Sequence, residues 1–396
     1  MHNRNNLEVN LHTLASNINN IRQAFPDYGY YIGVIKGNAY GHGYGVVPTL
    51  VAQGINYLAV SSLEEALFAR AYHDEIPILI MEPILFEELA LCQQHNFTIT
   101  VSSVAYFEQL LALHRQYSFK LRIHLKLDTG LNRLGIDQKE PLEALVKQLQ
   151  SEAMVASGLS LEGIFTHFAT TGVLDAQFDR QVASFLYLTQ NIDLSSIPII
   201  HLGRSATLET LAKLPFANGI RMGAILFGIS QTFRTYGGAK GKLRKLRDDY
   251  RRKKLQLSAT YETAQVQVAT ALQLKTPVME VNPLKAGESV GYGGTFTADQ
   301  DTYIAVCPIG YADGLHLGLR HSQVAFGQQR FPIVGIINMC MITVAVDASV
   351  QVGDMLTLIG GDIDVKKIAR LTATTPYVVM TQINKEIKRT YIEGEG

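Results

Sequence analysis

Tryptophan is absent from the 396 residues, and cysteine nearly so, with three. Cys92, Cys307 and Cys340 stand far apart, without the close spacing of metal ligands. An odd, sparse set of thiols also builds no disulfide framework, so the reading is no metal and a reducing, cytoplasmic setting. Long apolar runs are missing too. The most apolar short stretch, 76–86, contains Pro77, Glu82 and Pro83 and cannot span a membrane. Residues 1–10 lack the apolar centre of a signal peptide. Excess charge of either sign is lacking as well. The 35 Lys and Arg balance 35 Asp and Glu, so no global field draws the chain to nucleic acid or to an anionic membrane.

What is present is an ordinary globular composition, 47% hydrophobic and 18% charged, in a chain long enough for two domains. Over the first 230 residues short apolar runs alternate with amphipathic stretches. Strands are expected at 31–35, 57–60, 77–80, 98–101, 121–127, 161–165, 197–200 and 219–225, with helical patterns between them. The helix after residue 62 opens with Ser62 and Glu65 at capping-box spacing. Eight strands alternating with helices predict a parallel sheet, and at this length a TIM-like (β/α) barrel is the economical closure. A doubly wound open sheet is the alternative, but no Gly-x-Gly-x-x-Gly follows the first strand. From about 268 the runs become short, at 269–281, 303–309, 331–334 and 355–359, broken by Gly, Asp and Asn turns, which predicts a C-terminal all-β domain. The expected domains are 8–230 for the barrel, 231–267 for a basic linker and 268–396 for the β domain. The linker segment 234–254 holds ten Lys or Arg against Asp248 and Asp249. It reads as a solvated helix or loop, with a partner or polyanion surface as the alternative.

A barrel places its chemistry at the C-terminal ends of its strands. Lys36 ends the first expected strand, Lys126 and Asp128 the fifth, and His167 the sixth. His201 and Ser205 follow the seventh, and Arg221 lies on the eighth. Lys36 opens Lys36-Gly37-Asn38-Ala39-Tyr40-Gly41-His42-Gly43, whose glycines let backbone approach a ligand. A desolvated lysine can condense with an aldehyde.

The run from Val34 to Gly43 resembles the cofactor-lysine motif of the alanine racemase family. Five further segments resemble that family in the same order: His124 to Gly135, Thr166-His167-Phe168-Ala169, Gly219-Ile220-Arg221-Met222-Gly223, Gly287 to Phe296 and Pro308 to Gly314. The resemblance implies a barrel that binds pyridoxal 5′-phosphate, a β domain behind it, and a homodimer with shared active sites. It implies that Lys36 holds the cofactor aldehyde and serves as one acid/base, with Tyr292 as the other on the opposite face of the substrate carbon. Arg221 would face the pyridine nitrogen, oriented by His201. Tyr40, Ser205 and the amides near Gly223 and Ala224 would take the phosphate. Arg133 would contact the phenolic oxygen and the substrate, His167 would lie against the ring and supply a cation near Tyr292, and the Met341 amide would meet the substrate carboxylate. Lys126 would be a carbamylated lysine that orients Arg133. The implied reaction is interconversion of L- and D-alanine. Racemisation of serine or a basic amino acid is the alternative, and a non-catalytic cofactor carrier the next. The chain also departs from the family. Arg204 stands where Asn often precedes the phosphate serine, and Ile342, Lys385 and Leu317 differ at entryway-like positions.

Overall fold

The computed structural model describes residues 5–169, 176–208, 213–230, 238–254 and 266–394. Eight parallel strands close into a barrel: Tyr30–Val34, Tyr57–Val60, Ile78–Ile80, Thr98–Val101, Leu121–Lys126, Leu159–Phe165, Ile199–Gly203 and Gly219–Met222. The eighth pairs with the first, with Tyr31 opposite Ile220. Each of the eight expected strands is present. Strands 57–60, 78–80, 98–101 and 219–222 are buried at every position, as strands covered by helices outside and side chains inside must be. The helix Leu63–Arg70 starts where expected: the Ser62 hydroxyl accepts from the Glu65 amide at 3.3 Å.

The second domain is built on a nine-stranded sheet, ordered Glu280–Leu284, Thr302–Cys307, Ile342–Val346, Gln329–Val334, Gln323–Phe326, Met355–Ile359, Leu272–Pro277, Asn6–Asn10 and Lys388–Ile392. Two short helices, Val365–Leu371 and Pro376–Thr381, pack with it, so the domain is β-rich with helical additions. The run at 269–281 is two strands, because Pro277 ends the first and Glu280 starts a second elsewhere in the sheet.

The chain reading begins the barrel at residue 8, yet Asn6–Asn10 lies in the second sheet. It runs antiparallel to Leu272–Pro277 and parallel to Lys388–Ile392. Leu7 and Val9 are fully buried while Asn6, Glu8 and Asn10 are not, the period-two pattern of a half-covered strand. Five residues with two apolar members are too short a signal to stand out. The last strand also grips the barrel: the Arg389 guanidinium donates to the Gly41 carbonyl at 3.1 and 3.2 Å, and the Tyr391 hydroxyl donates to the His42 carbonyl at 3.2 Å.

Gly238–Lys254 is a helix. Residues 234–237 of the basic stretch lie outside the described part. Among the described residues no helix is long and apolar enough to cross a membrane.

Candidate active site

The first barrel strand hands over to a turn of unusual hand. Gly37, Asn38 and Ala39 have φ of 63°, 55° and 52°, and Tyr40 has 52°. One left-handed helical turn results, closed by the Gly41 amide donating to the Gly37 carbonyl at 2.9 Å. Left-handed backbone costs L-residues on the order of 1–2 kcal/mol each, so the surroundings must impose it. Gly37 makes its first step free of that penalty. Glu65 pins the turn from the next βα unit, its carboxylate accepting from the amides of Gly37 at 2.6 Å and Ser61 at 2.9 Å. The turn sets Lys36 and Tyr40 on the wall of one cavity of about 540 Å³ at the barrel mouth.

Arg221 is buried and held by a dense set of acceptors. Its guanidinium donates to the carbonyls of His201 (2.5 Å), Thr166 (2.7 Å) and Leu202 (3.1 Å), and to His201 Nδ1 at 2.7 Å. Burial, then the neighbouring Arg204, pushes it down to about 9, which leaves it charged at neutral pH. A guanidinium only donates, so His201 Nδ1 is an acceptor and its proton sits on Nε2. Nε2 then donates to His124 Nδ1 at 2.9 Å, and His124 Nε2 donates to Glu162 at 3.2 Å. Glu162 also accepts from Tyr57 at 2.6 Å, Thr98 at 2.9 Å and Arg122 at 2.8 Å. The donor-only arginine at one end and the carboxylate at the other leave both histidines a single neutral tautomer. Burial lowers the pKa of each, and the positive charge of Arg221 adds to that.

The resemblance points to His201 but stops there. His124, Glu162 and Tyr57 carry the rest of the line, and their signal is a carboxylate inside an apolar strand run. Burial opposes ionisation of Glu162, but its contacts with His124, Tyr57 and Arg122 outweigh burial and hold the carboxyl down to about 2 from 4.5. A group depressed in the folded state stabilises above its unfolded pKa and ceases to as pH falls through its folded one. Urea melts of wild type and Glu162→Gln should therefore converge between about pH 4.5 and 2, wild type being the more stable above that window. Parallel curves would show that Glu162 carries no such linkage.

Lys126, 5% exposed, lines the same cavity, its ammonium 5.8 Å from the Phe165 ring that Arg221 also approaches at 5.4 Å. Burial and then the charges of Arg133 and Arg221 push its ammonium down to about 8 from 10.5. Asp128, two residues on, turns away to organise a loop. Its carboxylate accepts the backbone amides of Gly130, Leu131, Asn132 and Arg133 at 2.8–3.0 Å. That loop carries Arg133 to the cavity rim.

The remaining end is built of small and hydroxylic groups. The Gly223 amide donates to the Ser205 hydroxyl at 3.0 Å, with Ala224 beside it. A Cβ on Gly223 would come within 2.4 Å of the Tyr40 hydroxyl, so glycine keeps this corner open. Tyr377, which the sequence reading passed over, stands 6.2 Å from Tyr40 ring to ring. The described lining holds five cationic side chains, Lys36, Lys126, Arg133, Arg204 and Arg221, against the single carboxylate of Glu82. Such a cavity asks for an anionic ligand with several negative groups. A phosphorylated pyridoxal, with phosphate and phenolic oxygen, suits that donor set, and Lys36 offers the amine its aldehyde needs.

His167 lines the same cavity, but it is not the cation expected near Tyr292. Burial, then Arg221, Arg204, Arg133 and Lys36, push its imidazole down to about 2, so it is neutral. Tyr292 is not among the residues lining the cavity. It sits at the tip of the hairpin pairing Ser289–Val290 with Phe296–Thr297, 75% exposed. Met341 is likewise half exposed and outside the lining. Of the entryway-like residues, Ile342 is instead a fully buried core side chain of a β-domain strand, while Leu317 and Lys385 are exposed.

Fold and site together define a (β/α)-barrel enzyme whose cofactor-type cavity lies at the strand C-termini, with a β-rich domain attached. The patterns for the alanine racemase N-terminal and C-terminal domains match residues 9–231 and 271–391. The chain belongs to the alanine racemase family. It is 30% identical to the alanine racemase of Geobacillus kaustophilus over 395 residues, covering 98% of this chain and 94% of that one. With the alanine racemase of Geobacillus stearothermophilus the identity is 32% over 390 residues, covering 97% and 92%. The solved alanine racemase of Clostridium difficile superposes with a TM-score of 0.84 at 26% identity, covering 99% and 97%. That of Bacillus anthracis with bound L-Ala-P superposes at 0.82 with 26% identity, covering 99% and 96%.

Proposed function

We propose that this enzyme interconverts L- and D-alanine with pyridoxal 5′-phosphate, as a homodimer in which each active site draws on both subunits. The observation that carries the reading is the cation-rich cavity with Lys36 on its wall and Arg221 locked beside it. Pyridoxal phosphate, when bound, withdraws electrons from the substrate's α-carbon and makes its C–H acidic. Ser205, Tyr40 and the amides at Gly223 and Ala224 would hold its phosphate, Arg133 its phenolic oxygen, and neutral His167 would lie against its ring. Arg221 would face the pyridine nitrogen as a donor that keeps its own proton at neutral pH, which would keep electron withdrawal moderate and hold side reactions back. Lys36 exchanges a proton with one face of the α-carbon, and Tyr292 of the partner subunit with the other. The amide of Met341 of the partner subunit takes the substrate carboxylate.

The test is incubation with single L-amino acids in deuterated water, following the D form and α-deuterium by chiral chromatography and mass spectrometry. Alanine should be racemised fastest. Faster turnover of serine or a basic amino acid would move the assignment to another substrate, and no exchange at all would end it.

Lys126 is proposed to be carbamylated, its neutral amine adding to carbon dioxide with loss of a proton to give an anion beside Arg133. With the ammonium pushed down to about 8, the reactive amine is scarce well below that pH and abundant above it. A ¹³C-bicarbonate-fed sample should therefore show a carbamate NMR signal that grows from about pH 7 to 9 and is lost in Lys126→Ala. A carbamate signal that persists in Lys126→Ala, or none in wild type, would refute the assignment.

A further inference from the structure

We infer that Arg204 binds the phosphate of the cofactor, adding a fixed positive charge to a subsite otherwise made of hydroxyls and backbone amides. The inference rests on the cofactor reading above and extends it to a residue in which this chain departs from its family.

Arg204 directly precedes Ser205, whose hydroxyl accepts the Gly223 amide. Its side chain lines the cavity together with Ser205, Gly223, Tyr40 and Tyr377. Its own amide donates to the Thr207 hydroxyl at 2.8 Å, which fixes the backbone from which the side chain departs. Burial lowers the pKa of its guanidinium, and the nearby Tyr377 and Tyr40 offset that only in part, so an anion in the cavity would relieve the cost of its buried charge. The guanidinium is also close enough to Arg221 to lower that group's pKa.

Charge matching then decides what Arg204 faces. Of the five cations lining the cavity, Lys36 is taken by the aldehyde and Arg221 by the ring nitrogen. Lys126 and Arg133 sit together on the phenolic side. Arg204 is the cation that lines the cavity next to Ser205, at the Ser205–Gly223 corner. A phosphate monoester carries close to two negative charges at neutral pH, and burying it among neutral donors alone is expensive. A guanidinium suits phosphate because its planar fork can give two parallel hydrogen bonds.

The experiment compares wild type, Arg204→Asn and Arg204→Lys, each stripped of cofactor and titrated with pyridoxal phosphate or with unphosphorylated pyridoxal, following the visible absorbance of the bound form. In Arg204→Asn the affinity for pyridoxal phosphate should fall roughly ten- to a hundredfold, while that for pyridoxal moves less than about twofold. Arg204→Lys should recover part of the loss, and the loss should shrink at high salt. If both vitamers weaken equally, Arg204 only packs the Tyr40–Tyr377 wall and the inference fails. If neither weakens but the KM for alanine rises, Arg204 faces the substrate carboxylate instead, and the inference again fails. If wild type takes up neither vitamer, the cofactor reading falls and the inference with it. That result is distinct from a wild type that binds and a variant that matches it.

Discussion

Chains carrying Lys36→Ala, mixed with chains carrying Tyr292→Phe, are expected to regain activity that neither variant has alone. Racemisation removes a proton from one face of the α-carbon and returns one to the other, and a single amine held on one side cannot serve both. Each variant alone should lose at least about a thousandfold in kcat, some 4 kcal/mol of barrier. Within one chain Lys36 lines the cavity while Tyr292 stands exposed on a hairpin tip outside it. If partner chains complete each other's sites, a heterodimer has one site with both bases and one with neither. An equal mixture that exchanges freely would hold half its chains in heterodimers and so show about a quarter of wild-type activity. A mixture that stays inactive, with subunit exchange verified by mass spectrometry of labelled chains, would refute shared sites.

Arg221→Leu is expected to be nearly as damaging, in two separable ways. The substitution strands the carbonyls of Thr166, His201 and Leu202 and the Nδ1 of His201, all of which now accept from one guanidinium. Leaving such buried acceptors unpaired costs about 1–3 kcal/mol each, so a loss of several kcal/mol in stability is expected from denaturant melts. Arg221→Lys keeps a charge but cannot reach four acceptors with one ammonium, and should recover only part of that stability. The second effect is on reaction course. With no cation held at the ring nitrogen, racemisation should fall by about a hundredfold or more at saturating substrate. Side products should not rise with it, because leucine gives the nitrogen no proton and electron withdrawal does not increase. A folded Arg221→Leu with undiminished kcat would show that the guanidinium has no electrostatic role.

The barrel was legible because its strands are short, apolar and separated by helical periodicity. Burial on both faces makes such runs conspicuous in sequence, and all eight fall where the pattern places them. The polar residues at their ends were legible for the converse reason: Lys126 and Arg221 interrupt apolar runs at a cost that demands a use. The residues behind them were harder to see. Glu162 sits at mid-strand and His124 two residues before Lys126, and only the closure of the barrel brings them into line with His201. Tyr377 comes from a short helix of the other domain, with no local pattern to mark it. Ile342 shows the opposite error. Its position invites an entryway role, while its strand alternation, buried at 342, 344 and 346, makes it core.

The pairing of Asn6–Asn10 with Lys388–Ile392 fixes an order of events during synthesis. Strand Asn6–Asn10 must wait for strand Lys388–Ile392 before this edge is filled, and joining residues so far apart in sequence is slow. The same late strand brings Arg389 and Tyr391 to the carbonyls of Gly41 and His42, in the loop that follows the left-handed turn. A growing chain can thus complete its barrel while the loop beside Lys36 still lacks its outer clamp. Competence to hold a cofactor in its working geometry would then come only when Lys388–Ile392 has joined the sheet, so a chain cut before it would present a barrel but not an enzyme.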